Sequence, residues 1–364
     1  DCMYDLYFFS GDPNHLEAAH QFDEDKSKEL YETVYTGNEN TLNGKHANTT
    51  IPKFVGALKR YTVLKAKGEA TEEDEKYLKY AEKFWDVAVD HYSYITGGVS
   101  VMEHFRQAGK LDATRTKTNC ESCCAHNMLK LSRELYQVTG EKKYSDYYET
   151  TLRNSIMGAV KSEEGAAAYF IPMATGYFKT FGDPDPDKNM YWCCTGSGME
   201  NFTKLGDSIY FHNDDTLVVN QYVASTVKWE EKNMEIAQES DVTKSDVATL
   251  KVHMLNGASA QNAVIALRVP DWASGKVTVK VNGTTVKDAA SNGYISISRE
   301  WKENDEVTIQ YPMAVTAAGL PDNNTVYGFQ YGPTVLAAKL GTNRMKETTW
   351  AGANLTAPLY KVVG

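Results

Sequence analysis

The apolar residues change period part-way along the chain, and that change limits the folds open to it. Up to about residue 208 large side chains recur three and four apart, as in "IPKFVGALKRYTVLKAKG" and "DEKYLKYAEKFWDVAVDHYSYITGG". That is the spacing of one apolar helix face, and a glycine closes each run. "NMLKLSRELYQVTG" and "KKYSDYYETTLRNSIMGAV" repeat the arrangement across a short turn. Helical hairpins in succession, with no strand between them, predict a helical toroid or solenoid. From about residue 214 the period becomes two, in "TLVVNQYVASTVKW", "ATLKVHML", "AVIALRVPDW", "KVTVKVNG", "GYISISREW" and "DEVTIQYPM". With turns such as "VNGTT" and "SNGY" between them, these runs predict a β-sandwich. The expected domains are therefore 1–210, helical, and 211–364, β-sandwich. The Pro- and Asp-rich "FGDPDPDKN" at 181–189 is expected to be a loop.

A length of 364 residues suits two domains with sizeable cores. A closed toroid of six helix pairs needs roughly twelve helices of ~12 residues, more than the helical stretches in the first domain. The chain also opens inside a helical pattern, "DCMYDLYFFSGDPNHLEAAHQF". The expectation is a barrel lacking its amino-terminal helices, either in a partial chain or in a homo-oligomer that covers the apolar faces left open. The formal charge of −10 argues against nucleic acid and anionic membranes, which need a basic footprint. No apolar run approaches the ~20 residues of a spanning helix. The 23 tyrosines, against 12 Phe and 6 Trp, supply amphipathic rings of the kind that line sugar sites, although most are accounted for by half-buried element surfaces.

Five of the six cysteines fall in two clusters, Cys120, Cys123 and Cys124 in "NCESCCAHNM" and Cys193 with Cys194 in "YWCCTG". A disulfide framework would be dispersed along a short secreted chain. Neighbours such as Cys193 and Cys194 are held with Cα atoms ~3.8 Å apart, shorter than the ~5.5 Å a bridge favours. Metal ligation is the better reading. Two thiol pairs can make a closed structural site; three thiols and one carboxylate make the alternative, for which Glu103, just after the Gly-Gly break of "YITGGVSVMEHF", is a candidate. Glu121 has two readings. Thr118 to Glu121 has the pattern of a capping box, in which the glutamate serves only the helix start. If the helix begins after residue 121, Glu121 lies in the entry loop and Cys123 near the positive helix end, which favours a thiolate. Clustered thiols suit a reducing cytoplasm, while metal-bound thiolates also persist in a periplasm or outside the cell.

Four separated stretches, "GKHANTTIPKFVGALKRY", "YITGGVSVMEHF", "NCESCCAHNMLKLSRELYQVTG" and "YWCCTGSGMENFTKLGDSIYF", resemble glycoside hydrolase family 127, the β-L-arabinofuranosidases. The resemblance implies an (α/α)6-barrel catalytic domain followed by β-sandwich domains. It implies a zinc ion held by Glu103, Cys123, Cys193 and Cys194, with Cys193 as nucleophile and Glu121 as general acid/base of a retaining mechanism. His46 and Tyr169 would bind the sugar, and the substrate would be an arabinose-containing oligosaccharide or glycoconjugate. Cys120 and Cys124 are expected to be buried thiols without a ligand role.

Two other functions fit the residues. One is a carbohydrate-binding or scaffolding protein with a structural zinc, in which metal loss and unfolding would coincide. The other is an α/α-barrel hydrolase acting through two carboxylates, in which thiol alkylation would leave turnover unchanged.

Overall fold

The computed structural model describes residues 1–23, 26–161, 163, 165–174, 177, 179, 181, 192–287 and 290–339. The 181–189 loop and the carboxy-terminal part of the expected second domain lie mostly outside the described residues.

Among the described residues eight α-helices come before the sandwich: α1 (Cys2–Ser10), α2 (Pro13–Asp23), α3 (Lys26–Thr36), α4 (Ala47–Lys67), α5 (Glu72–Tyr92), α6 (Ser122–Thr139), α7 (Lys142–Thr151) and α8 (Cys193–Thr203). Their ends are set by local chemistry. Gly68 and Gly140 close α4 and α6 with φ of 73° and 68°, a conformation that glycine adopts without a Cβ penalty. Thr71 and Asp74 form a reciprocal capping box at the start of α5. The helical core is built on α4, α5 and α6, with Phe54 and Phe84 stacked at 4.0 Å between centroids. No helix is long and apolar enough to cross a membrane among the described residues.

A short ribbon, β1 (Val160–Lys161) with β2 (Ala166–Ala167), lies between α7 and α8. After α8 come β3 (Tyr210–His212), β4 (Thr216–Val219), β5 (Val223–Trp229), β6 (Met234–Asp241), β7 (Val247–Met254), β8 (Ala260–Arg268), β9 (Thr278–Val281), β10 (Thr284–Thr285), β11 (Tyr294–Lys302) and β12 (Glu306–Gln310). They form a six-stranded sheet, β10-β9-β12-β7-β6-β5, and a four-stranded sheet, β11-β8-β4-β3. Ile236, Leu250 and Ile309 from the first share one core with Leu217, Ile265 and Ile297 from the second, so the two sheets pack face to face as a sandwich. The "NG" turns have positive φ at both residues, 49° and 78° at Asn282 and Gly283, as hairpin turns of the mirror-image type require.

The helical and sheet regions meet through buried polar groups. Arg268 of β8 is fully buried; its guanidinium donates to Asp146 and Glu149 of α7, and Trp272 Nε1 donates to the same Glu149 at 2.7 Å. A third sheet, β13 (Val315–Leu320), β14 (Asn323–Tyr331) and β15 (Thr334–Leu336), also touches the helical region. The Asp322 carboxylate accepts from the amides of Asp112 and Ala113 at 2.8 and 3.0 Å. This holds the long segment between α5 and α6, residues 93–121, against the sheet.

Candidate active site

That segment carries both glutamates of the site, Glu103 and Glu121, and it is strained. Nine residues other than glycine have positive φ among the described residues, and five of them are asparagines in turns, where this conformation is tolerated. The other four are Ser100, Met102, Glu103 and Cys120. Each such residue costs on the order of 1–3 kcal/mol, and strain of this kind collects at functional sites. Gly97 and Gly98 let the segment lie flat: a Cβ at Gly98 would stand 2.6 Å from the Cys120 Cβ, and one at Gly97 would stand 2.0 Å from the Thr151 hydroxyl. Cys120 therefore packs beneath the loop.

Helix α6 starts at Ser122, and Glu121 is its N-cap residue without a capping hydrogen bond. The capping-box reading of Thr118 to Glu121 is overturned, because the helix begins after the glutamate and frees its side chain. Glu121 is 1% exposed. Its carboxylate meets Cys123, Cys193 and Cys194, and one ligand atom from each of the four lies within 4.8 Å of the others. The Sγ of Cys123 stands 3.3 Å from that of Cys194, which stands 3.9 Å from that of Cys193, and Cys193 Sγ is 3.8 Å from Glu121 Oε1. All three are free thiols. They come from the first turns of α6 and α8, whose amide ends favour negative charge. Cys193 is exposed while the other three groups are buried.

Electrostatics inside this group calls for positive charge. Burial and then the charge of Cys194 raise the Glu121 carboxyl to about 7. The same two causes raise the Cys193 thiol. Cys123 is raised chiefly because its S–H is held by Cys194, whose own pKa falls to about 7 through that hydrogen bond. Three of the four acidic groups are kept from ionising by burial and by the fourth, Cys194; a bound cation would relieve this, and soft sulfur with one carboxylate suits a thiophilic divalent metal. The donor set fits a metal ion.

Of the four expected ligands, the structure brings the three thiols together, and the carboxylate that joins them is that of Glu121. Glu103 stands apart. Its side chain is about one-third exposed, it accepts from the Tyr169 hydroxyl, and its Oε2 is 3.5 Å from His46 Nε2. His46 caps α4 by accepting the Thr49 amide on Nδ1 at 3.4 Å; in the neutral ring the proton therefore sits on Nε2, facing Glu103. The Tyr169 hydroxyl reaches Cys193 Sγ at 4.0 Å, so Tyr169 links Glu103 to the exposed thiol. Burial, followed by donation to Glu103, raises the tyrosine pKa and keeps the hydroxyl protonated. Cys124 is also outside the ligand group; its thiol donates to the other Glu121 oxygen at 3.4 Å and orients it.

Two contributors carry no separate sequence signal: Ser197, 2.9 Å from Cys123 Sγ, and Trp192, edge-on to Tyr169 with 6.0 Å between ring centroids. His104, which its place beside Glu103 suggests either backs the site or simply packs, lays its ring at 4.9 Å on that of His46. The spacing of Ser197, one turn beyond Cys193, is the only hint of its role.

The fold and site define a helical domain with a thiol–carboxylate centre, joined to a β-sandwich. Residues 1–207 match the family model described as β-L-arabinofuranosidase, GH127 catalytic domain, and residues 216–313 match the GH127 middle domain. The chain belongs to glycoside hydrolase family 127. It is 20% identical over 255 residues to a non-reducing end β-L-arabinofuranosidase of Bifidobacterium longum subsp. longum, an alignment covering 66% of this chain and 38% of that protein. Among solved structures, a GH127 β-arabinofuranosidase superposes with a TM-score of 0.71 at 24% identity, over 92% of this chain and 54% of that one. A GH127 β-L-arabinofuranosidase of Geobacillus stearothermophilus T6 gives a TM-score of 0.71 at 21% identity, over 92% and 57%. The chain thus spans well under two thirds of the length of these relatives.

Proposed function

We propose that this chain carries the catalytic centre of a zinc-dependent retaining glycoside hydrolase that releases L-arabinose from β-L-arabinofuranosides. The observation that supports this most is the one exposed thiol, Cys193, in a group whose other three members are buried. A structural four-ligand site has no reason to present one ligand to solvent beside a tyrosine, a histidine and a second glutamate.

In this reading Glu121, Cys123, Cys193 and Cys194 hold the zinc, and Glu103 is the general acid/base, so the two glutamates exchange the roles expected from the sequence. Tetrahedral zinc with metal–sulfur bonds of about 2.3 Å separates its sulfurs by about 3.8 Å, against 3.3 and 3.9 Å here. Bound zinc supplies one thing to the chemistry: it holds Cys193 as a thiolate at neutral pH. The Cys193 sulfur attacks the anomeric carbon as Glu103 gives its proton to the departing oxygen, leaving a thioglycosyl link to Cys193. Glu103 then takes a proton from water, the hydroxide attacks the same carbon, and the C–S bond breaks to return the thiolate. Tyr169 donates to Glu103 and touches Cys193, so one phenol bridges the proposed acid/base and nucleophile, which a retaining enzyme needs close together. His46, 3.5 Å from the other Glu103 oxygen, is proposed to bind the sugar. The substrate class follows from the family and from the named activity of its relatives. The test is hydrolysis of an aryl β-L-arabinofuranoside: Cys193→Ser is expected to abolish it while circular dichroism stays unchanged. Full activity in that variant would overturn the reading.

A further inference from the structure

Helix α8 brings two of the four thiol–carboxylate ligands, yet it is held to the rest of the protein by little apolar surface. Its buried residues are two, Cys194 and Asn201, while Met199 and Phe202 are 67% and 54% exposed. Both buried residues face α6. Cys194 meets Cys123 at the ligand group. Asn201, seven residues on and hence on the same face of α8, meets His126, which lies three residues beyond Cys123 and on the same face of α6. The His126 Nδ1–H donates to Asn201 Oδ1 at 2.7 Å, with His126 6% and Asn201 8% exposed. The other ring nitrogen of His126 is 3.3 Å from Glu200 Oε2, and Lys204, just past the end of α8, holds that carboxylate.

Neither His126 nor Asn201 touches the ligand group, so neither is a ligand or a catalytic residue. We propose that the His126–Asn201 hydrogen bond is a positioning device: it fixes the rotation and height of α8 against α6, and so sets the Cys123–Cys194–Cys193 spacing that the metal requires. This rests on the metal reading above. Two points of attachment are the least that define the orientation of one rod on another. The ligand group, with Ser197 beside Cys123, is the first; the second is His126, whose bond to Asn201 joins two buried side chains while its contact with Glu200 is at the surface. Without the His126–Asn201 bond, α8 loses its buried polar anchor away from the thiols and can pivot about them. An ångström of pivot matters at a centre whose ligands must be held to about half an ångström.

Cobalt(II) added to the metal-stripped protein gives the readout, because sulfur-to-cobalt charge-transfer absorption reports thiolate ligation and its geometry independently of turnover. Wild type is expected to show the band. His126→Leu and Asn201→Leu are expected to shift or weaken it and to lower cobalt affinity, measured by chelator competition, by roughly 10-fold or more, the range seen when groups behind the ligands are removed. His126→Asn, which keeps an N–H donor near the Nδ1 position, is expected to recover most of the affinity. If a leucine variant does not fold, Asn201→Ser leaves a smaller defect and is read in the same way. A wild-type band that both leucine variants share unchanged, at unchanged affinity, overturns the positioning role alone. So does a His126→Asn protein no better than His126→Leu. No band in wild type overturns the metal reading and the inference with it.

Discussion

The Tyr169 hydroxyl donates to Glu103 and stands 4.0 Å from Cys193 Sγ. One phenol thus touches both groups proposed to act on the glycosidic bond, from the loop that follows β2. Its backbone carbonyl also accepts the Ser122 amide at 2.9 Å, which ties it to the start of α6. Tyr169→Phe removes the donor and little else. A hydrogen bond to a charged partner contributes about 1.5–3 kcal/mol, so kcat/KM for an aryl β-L-arabinofuranoside is expected to fall roughly 10- to 100-fold. Metal content, measured by elemental analysis, is expected to stay at the wild-type level.

The two glutamates are expected to separate cleanly. Glu121→Gln removes the only carboxylate of the ligand group and should lose metal on dialysis together with activity. Glu103→Gln should keep the metal and lose ~10²–10⁴-fold in rate on substrates with poor leaving groups, the usual contribution of a general acid. Azide should rescue turnover of an activated aryl substrate in Glu103→Gln by attacking the thioglycosyl carbon without needing a base, and arabinosyl azide is the product to detect. A Glu121→Gln protein that retains its metal would restore the assignment expected from the sequence.

Much of this was legible in the sequence, for reasons that also mark where legibility stops. The change of period from helical to two runs through the long helices and the sandwich strands, so helical and sandwich regions could be read without a structure; the β1–β2 ribbon, two residues a strand, is too short to show a period and departs from the expectation of helices with no strand between them. Clustered thiols likewise announce a ligand group. The choice between Glu103 and Glu121 could not be read, because it depends on where α6 starts and on how residues 100–103 turn. Ser100, Met102 and Glu103 hold positive φ without being glycine or asparagine, and only the surrounding packing enforces that. Arg268 was equally hidden: it ends an alternating strand as an ordinary charged residue, and its partners Asp146 and Glu149 lie more than 100 residues earlier. Cys120 and Cys124 looked redundant, and their parts, packing under Gly98 and orienting Glu121, are visible only in three dimensions.

The Arg268 contact predicts a stability effect across the junction of the two regions. With Arg268 fully buried against two carboxylates, Arg268→Ala leaves Glu149 with only the neutral Trp272 N–H as its named donor, and Asp146 with Lys142, in a low-dielectric setting. Breaking a buried ion pair in this way costs about 3–5 kcal/mol. Chemical unfolding should show a loss of this size, concentrated in the transition that separates the β-sandwich from α7. A surface pair such as Lys28 with Glu73 is expected to contribute less than about 1 kcal/mol when broken.

Asp74 gives a prediction about pH. Burial raises its pKa, but the Thr71 hydroxyl and amide and the Arg60 guanidinium outweigh burial, and the net shift is downward. A carboxyl with a lowered folded pKa adds stability that is fully present above its unfolded value of about 3.9 and vanishes as pH falls through the lower folded value. Asp74→Asn should therefore be less stable than wild type by a constant amount between pH 5 and 8, on the order of 1–3 kcal/mol. The gap should close below about pH 4. Denaturant midpoints measured across that range check the sign, since a gap that widened in acid would mean that burial had won.

Metal removal tests how α8 is attached. The large helical core runs through α3 to α7 and includes none of the four ligand residues, so a chelator is expected to abolish hydrolysis while leaving the thermal unfolding of α4, α5 and α6 nearly intact. Helix α8 is different, because its two buried side chains are a ligand and the partner of His126. Once the metal is gone, the thiols that remain repel as they ionise, and α8 is left with little apolar burial and a few polar contacts, chiefly His126 with Asn201 and Glu200, and Ser197 with Cys123. Hydrogen exchange across residues 193–203 should then accelerate to the rate of a locally open segment, while amides of α4 to α6 keep their protection. Adding zinc back should restore protection and activity together. Global loss of protection on chelation would instead make the centre a structural one.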